Sequence, residues 1–245
     1  MDLLRTSIVP AMLLLAGHAG AAGAQDAPAP PADDRGAQVS VAPLRLEMAG
    51  AETAAVLRVT NPSRREIGVQ VRTFGWSQQN GEDAYFASDD VMISPSIIQI
   101  APGQTQIFRV VRRDAASAGE KRLRIAVDQL PDPGLEKAGE AQARIRFTLP
   151  LFLDRDQAAP AALAWTIDAD GIHLFNGGGQ TVRLVSLTAT QAGSAPIEIE
   201  RNTLRYVHGG STIHWPISAC PAGTITLTAS IDGTPHSAQV PSSCS

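Results

Sequence analysis

The sequence predicts an all-β protein of two sandwich domains behind a cleaved export signal, and three observations carry that expectation. Apolar residues alternate with polar ones at a period of two through most of the chain. Turn residues break the alternation at short intervals, with 21 glycines and 17 prolines among 245 residues. No segment holds a capped helical period; the best stretch, residues 114–121, is short and contains Gly119.

Residues 1–24 read as the signal. Arg5 gives a weak positive start, an apolar run extends from Ile8 to Leu15, and Ala22-Gly23-Ala24 supplies the small residues a signal peptidase needs. The apolar core is too short to span a bilayer, which takes roughly twenty residues. Cleavage after Ala24 is therefore expected, with no membrane anchor. Residues 25–38, rich in proline, alanine and aspartate, form a flexible lead. An exported chain can oxidise its only two cysteines, Cys220 and Cys244, to a disulfide contributing on the order of 3 kcal/mol. The alternative is two free thiols.

The strands follow in order. Val39, Val41, Leu44 and Leu46 open the series, with Pro43 as an edge strand tolerates it. Val56 and Arg58 alternate against Ala55, Leu57 and Val59 until Thr60-Asn61-Pro62 stops them. Ile67, Val69 and Val71 come next, then Ile98 and Ile100, a Pro102-Gly103 turn, and Ile107 to Val111. Leu123, Ile125 and Val127 end at Leu130-Pro131, and Ile145, Phe147, Leu149, Leu151 and Leu153 complete the set. About seven short strands with regular turn signals are the pattern of an immunoglobulin-like sandwich, here residues 39–156. After a composition break at Gln157 to Ala162, residues 157–245 repeat the pattern as a second, charge-poor immunoglobulin-like domain, set at an angle to the first.

Several functions are disfavoured. A net charge of −4 gives no general grip on nucleic acid. His173, His208, His214 and His236 are scattered without metal-ligand spacing and read as exposed or turn positions. Glu82-Asp83 and Asp89-Asp90 read as solvated turn charges, and Asp168 and Asp170 as a hairpin turn around Gly171. Gly177-Gly178-Gly179 precedes no helix and is a loop, not a phosphate cradle. There is no nucleophile elbow and no P-loop. The expectation is a protein that is not an enzyme and carries no cofactor or metal.

Five ordered pieces of the first domain resemble the periplasmic chaperones of the chaperone–usher pathway, the PapD-like family that assembles pili. They are Val39 to Leu46 with its Arg45, Leu57 to Pro62, Pro95 to Val110 with its Pro-Gly turn and Phe-Arg ending, Glu120 to Pro131, and Pro150-Leu151-Phe152-Leu153. The resemblance implies a non-enzymatic periplasmic protein that binds secreted pilus, fimbrial or coat-like subunits and delivers them to an outer-membrane usher. The family lends its seventh strand to a subunit that lacks one, so Ala143, Ile145, Phe147 and Leu149 become the donor row. It also implies two basic residues gripping the subunit's terminal carboxylate. Arg45 matches the first. The second falls at Pro150, which carries no charge, leaving Arg144, Arg146 or Arg155 as substitutes. These departures resemble the divergent, archaic branch. The competing reading is a structural or adhesive sandwich such as a pilus subunit, although residues 25–38 are too rich in proline and aspartate for a donor extension.

Overall fold

The computed structural model describes residues 39–131 and 144–243. Ala143 and Cys244 lie outside the described residues. Cys220 is not free.

The first sandwich packs two sheets face to face. One is ordered β1 (Ser40–Ala42), β3 (Ala54–Thr60), β8 (Thr105–Arg112), β6 (Val91–Ser94). The other is ordered β2 (Leu46–Met48), β10 (Arg146–Leu153), β9 (Lys121–Gln129), β4 (Ile67–Gln79), β5 (Glu82–Ala87), with β7 (Ile97–Ile100) also on β4. Their inward rows are the alternating apolar positions: Leu57 and Val59, Phe108 and Val110, Val69 and Val71, Ile125 and Val127, Leu149 to Leu153 at every second residue. Each such side chain contributes roughly 1.5–3 kcal/mol on burial.

Two expectations change. The run from Val39 to Leu46 is not one strand. Pro43 has no N–H to continue the β1–β3 ladder, so the chain leaves the first sheet there and enters the second as β2. Glu82 and Asp83 are not turn residues either; they open β5, paired with Gln79 and Gln78 across the Asn80-Gly81 turn.

The strand ladders end on buried amides. Asn61, fully buried at the end of β3, donates from Nδ2 to the carbonyls of Arg65 (2.6 Å) and Ile100 (2.8 Å). Its side chain thus satisfies backbone acceptors where Pro62 stops the ladder.

The second sandwich follows the same grammar. One sheet is β11 (Leu163–Ile167), β12 (Gly171–Asn176), β16 (Thr212–Pro216). The other is β14 (Ile197–Glu200), β13 (Val182–Gln191), β17 (Thr224–Ile231), β18 (Thr234–Pro241), with β15 (Arg205–Val207) on β13. Leu174, Leu184, Leu187, Val207 and Ile213 form the centre of its core. The triple-glycine loop is a packing device: a Cβ on Gly178 would sit 2.0 Å from the Pro160 carbonyl oxygen, so only glycine lets this loop touch the chain that joins the sandwiches.

That joining segment begins at Asp154, in the left-handed region at φ 58°, and continues as a 3-10 turn, Arg155–Gln157. Asp154 is 1% exposed, accepting from Arg112 Nη2 at 2.6 Å and from the Ser117 N–H at 2.8 Å. Burial alone would raise its carboxyl pKa; the hydrogen bonds of Ser117 and the Arg112 guanidinium outweigh that and hold it below the usual range. A charged Asp154 fixes the direction in which the chain leaves β10.

Candidate functional site

β10 is bordered unequally. On one side β9 pairs with it from Arg146 to Leu153. On the other, β2 covers only Leu151 to Leu153, in parallel. The hydrogen bonds fix which backbone groups face which side. Gln129 N–H donates to the Ile145 carbonyl (3.0 Å), and Asp154 N–H donates to the Met48 carbonyl (2.9 Å). Because strand groups alternate sides, residues 145, 147 and 149 bond β9. Among the described residues, the N–H and C=O of Arg146 and Thr148 face an open edge, while the Pro150 carbonyl, on the same side, meets the start of β2 at Leu46. Pro150 is tolerated because its missing N–H falls on that edge and not in the β9 ladder.

The side chains alternate accordingly. Arg146 and Thr148 are exposed on one face; Ile145 and Phe147 are half-buried, and Leu149 is 4% exposed within the sandwich's own core. Of the expected donor row, Leu149 is thus packed inside this chain, while Ile145 and Phe147 sit at the open rim of the core. Arg146 is tied to Asp128 across the ladder, and Arg72 bonds the same carboxylate at 2.7 Å. Burial would raise the Asp128 pKa, but these two guanidinium groups keep it low. The contact fixes the first residue of β10 in register.

At the other end of β10, on its second face, Phe152 meets Trp76 of β4 and Tyr206 of β15, with ring centroids 6.1 and 6.3 Å away. This aromatic cluster joins the two sandwiches. Gln78 works as a clamp: its Nε2 donates to the Tyr206 carbonyl (2.7 Å), and its Oε1 accepts from the His208 N–H (2.9 Å). Glu120, its side chain wholly buried, accepts from Arg155 (2.6 Å), Arg122 Nε (3.0 Å) and the Thr181 N–H (2.9 Å). Arg155 also donates to the Thr181 carbonyl at 2.6 Å. One carboxylate therefore ties the end of β10 to the start of β13.

The expected basic residues part company here. Arg45 lies 4.7 Å from the Phe152 ring centre, with Nε donating to Glu47 (2.6 Å) and Nη1 reaching Asp232 at 3.5 Å. Arg155 lies 5.6 Å from the same ring. Arg144 and Arg146 are at the opposite end of the strand and do not join this cluster.

The sequence reading missed two members. Arg124 of β9 stacks 3.6 Å from the Trp76 ring centre and 5.0 Å from that of Tyr206. The signal was present: Arg122 and Arg124 occupy the second face of a strand whose first face is core, so that face also needed a cover. His208, expected at an exposed or turn position, is 1% exposed, packs edge-on to Trp76 at 4.2 Å, and its ring nitrogens make no hydrogen bond within the described residues. It follows β15, whose Tyr206 and Val207 carry it under the first sandwich.

Burial, then the positive charge of Arg122, lowers the His208 pKa from 6.5 to about 3. The unfolded chain binds a proton below pH 6.5 while the folded chain does not. Stability therefore falls with acidification between those two values, at about 1.4 kcal/mol per pH unit. His208→Phe, which keeps the ring contact, is expected to flatten that part of the profile; urea midpoints at pH 7 and pH 4.5 measure it, and parallel profiles for both proteins would refute the assignment.

Among the described residues no group of three or more His, Cys, Asp or Glu is arranged to hold a metal, and no helix is long and apolar enough to cross a membrane.

Comparison with known proteins accords with this geometry. Residues 38–158 match the family model described as pili and flagellar-assembly chaperone, PapD N-terminal domain. No curated protein sequence matches the chain. Among solved structures, the CsuC–CsuE chaperone–tip adhesion subunit pre-assembly complex of archaic Csu pili, from Acinetobacter baumannii, is 20% identical. That match covers 84% of this chain and 99% of that chain at TM-score 0.65. The E. coli chaperone DraB is 18% identical over 85% of this chain and 97% of its own, TM-score 0.59. The Salmonella enterica SafA pilin–SafB chaperone complex gives 19% identity, 82% and 96% coverage, and TM-score 0.59. These likenesses span both sandwiches and show the fold. Through residues 38–158, the chain belongs to the PapD-like family of pilus-assembly chaperones.

Proposed function

We propose that this protein is a periplasmic chaperone that captures pilus-type subunits by lending them β10, and passes them to an outer-membrane usher. The observation that carries this reading is the edge of β10 at Arg146 to Thr148, unpaired among the described residues, beside an apolar rim at Ile145 and Phe147. An uncovered edge of this kind is a template for a foreign strand. The solved relatives include chaperones held with a tip adhesion subunit and with a pilin, and a subunit short of one strand is the partner such an edge completes. The chemistry asked of the site is strand addition, with no bond made or broken. Export through residues 1–24 and oxidation of Cys220 with Cys244 belong to the same reading.

The covering strand β2 also orients the guest. It runs parallel to β10 and begins at Leu46, immediately after Arg45. A guest strand filling the open edge lies end to end with β2. If it runs parallel to β10, its terminal carboxylate arrives at Arg45, a favourable charge-assisted contact. If it runs antiparallel, an amine arrives there instead, and like charges repel.

Arg45→Ala is expected to weaken subunit capture about tenfold or more while leaving thermal stability within about 0.5 kcal/mol. Its partners Glu47 and Asp232 form only partly exposed ion pairs, which contribute little to folding. Co-purification yield and a melting curve check both halves; an undiminished yield would remove Arg45 from the site.

A further inference from the structure

Two histidines far apart in the sequence meet on the outer face of the second sandwich. His173 of β12 pairs in register with His214 of β16. In the same ladder the Asn176 N–H donates to the Ser211 carbonyl at 3.0 Å. Bonded and non-bonded positions alternate, so His173 and His214 occupy a non-hydrogen-bonded pair, where facing side chains lie closer. Leu174 and Ile213, one residue away on each strand, point into the core, and both imidazoles therefore stand on the opposite face. Their ring centroids are 5.5 Å apart at an interplanar angle of 23°. Two imidazoles that share one tetrahedral ion at about 2.0 Å have ring centres roughly 5 Å apart.

The surroundings suit a cation. Asp168 Oδ1 lies 3.0 Å from His173 Nε2, and the N–H groups of Asp170 (2.9 Å) and Gly171 (3.2 Å) hold that same oxygen in the turn. A carboxylate at Nε2 places the ring proton there and leaves the Nδ1 lone pair for a metal, the usual second contact of a metal-binding imidazole. His214 is exposed. Both rings border an open groove of about 450 Å³, which Asp170, Thr212 and Asn80 of the β4–β5 turn also line. It has room for the waters that complete a coordination shell, and Asp170 adds negative charge. Arg205, which donates to the His214 carbonyl at 3.3 Å, is offset by Glu200 at 3.2 Å.

We propose that His173 and His214 form a binding site for a late first-row divalent metal, with zinc the ion their spacing fits and Asp168 the carboxylate that orients His173. Imidazole nitrogen selects this class over magnesium and calcium, which take oxygen ligands. The protein supplies two ligands, and water fills the remaining positions. The bound ion bridges β12 and β16, so it stabilises the folded second sandwich by mass action. The site stands apart from strand lending at β10, and neither depends on the other.

The test uses the mature full chain without an affinity tag. Calorimetric titration with zinc chloride is expected to show one equivalent bound. Zinc is expected to shift the imidazole nitrogen resonances of His173 and His214 and to leave those of His208 and His236 in place. His173→Gln and His214→Gln are each expected to lower affinity by more than about tenfold, and Asp168→Asn, which keeps an oxygen for the turn amides, by about tenfold. The urea midpoint of the wild type rises with zinc concentration, whereas that of the His173→Gln/His214→Gln double variant stays fixed; the metal-free midpoints verify that each variant is folded. Absence of zinc binding to the wild type, wild-type affinity in the folded double variant, or loss of binding in His236→Gln overturns the assignment. Undiminished affinity in Asp168→Asn removes Asp168 from the site.

Discussion

Ile145→Asp combined with Phe147→Asp is expected to abolish subunit capture, lowering affinity by a factor of a thousand or more, while the protein remains folded. Each aspartate places a carboxylate where a guest sandwich buries an apolar side chain, and an unpaired buried charge costs several kcal/mol. Two such changes exceed the roughly 4 kcal/mol that separates a micromolar complex from a millimolar one. The protein itself tolerates them because both positions are half-buried at the rim; full burial along β10 begins at Leu149. Leu149→Asp is the contrasting variant, and it is expected to unfold the first sandwich. Co-purification with a co-expressed subunit, together with the circular dichroism spectrum of the double variant, makes the measurement. Full subunit recovery with a folded double variant would refute the lending of β10.

Glu120→Ala is expected to lower stability by about 3 kcal/mol or more, the largest effect of any single polar change. The wild-type carboxylate is wholly buried and compensates Arg155 and Arg122 while accepting from the Thr181 N–H. Its removal leaves two guanidinium groups and an amide facing one another in a partly desolvated junction. The loss is concentrated where the sandwiches join, so faster proteolysis between Gln157 and Ala162 is expected to accompany the lower denaturation midpoint. A shift below about 0.5 kcal/mol would show that Glu120 does not hold the junction.

The strands were legible in the sequence wherever one face met a core. Leu57 and Val59, Ile213 and Trp215, and Ile225 to Ile231 at every second residue alternate cleanly because period-two burial dictates residue type. What alternation does not encode is which edge pairs with which. The run from Val39 to Leu46 reads as one strand, yet the missing N–H of Pro43 divides it between two sheets. The open edge of β10 depends on β2 covering only three of its residues, a fact of topology with no local signature. The site's charges were legible as types and not as partners. Arg45 and Arg155 come to one ring, whereas Arg144 and Arg146 lie with the far end of the strand. Arg124 and His208 were passed over because a charged or histidine residue in a strand reads as solvent-facing. Both lie instead under the second layer that the other sandwich provides. The pairing of Cys220 with Cys244 and the donor position of Ala143 stay proposals drawn from the sequence.

Backbone amide exchange along β10 tests the central claim most directly. In the free protein, the N–H groups of Arg146 and Thr148 face the open edge and are expected to exchange rapidly, while those of Phe147 and Leu149, bonded to β9, are protected. On binding a subunit, the account predicts that Arg146 and Thr148 become at least about tenfold slower, with Phe147 and Leu149 little changed. Formation of a stable complex that leaves the Arg146 and Thr148 amides at their free rates would contradict it.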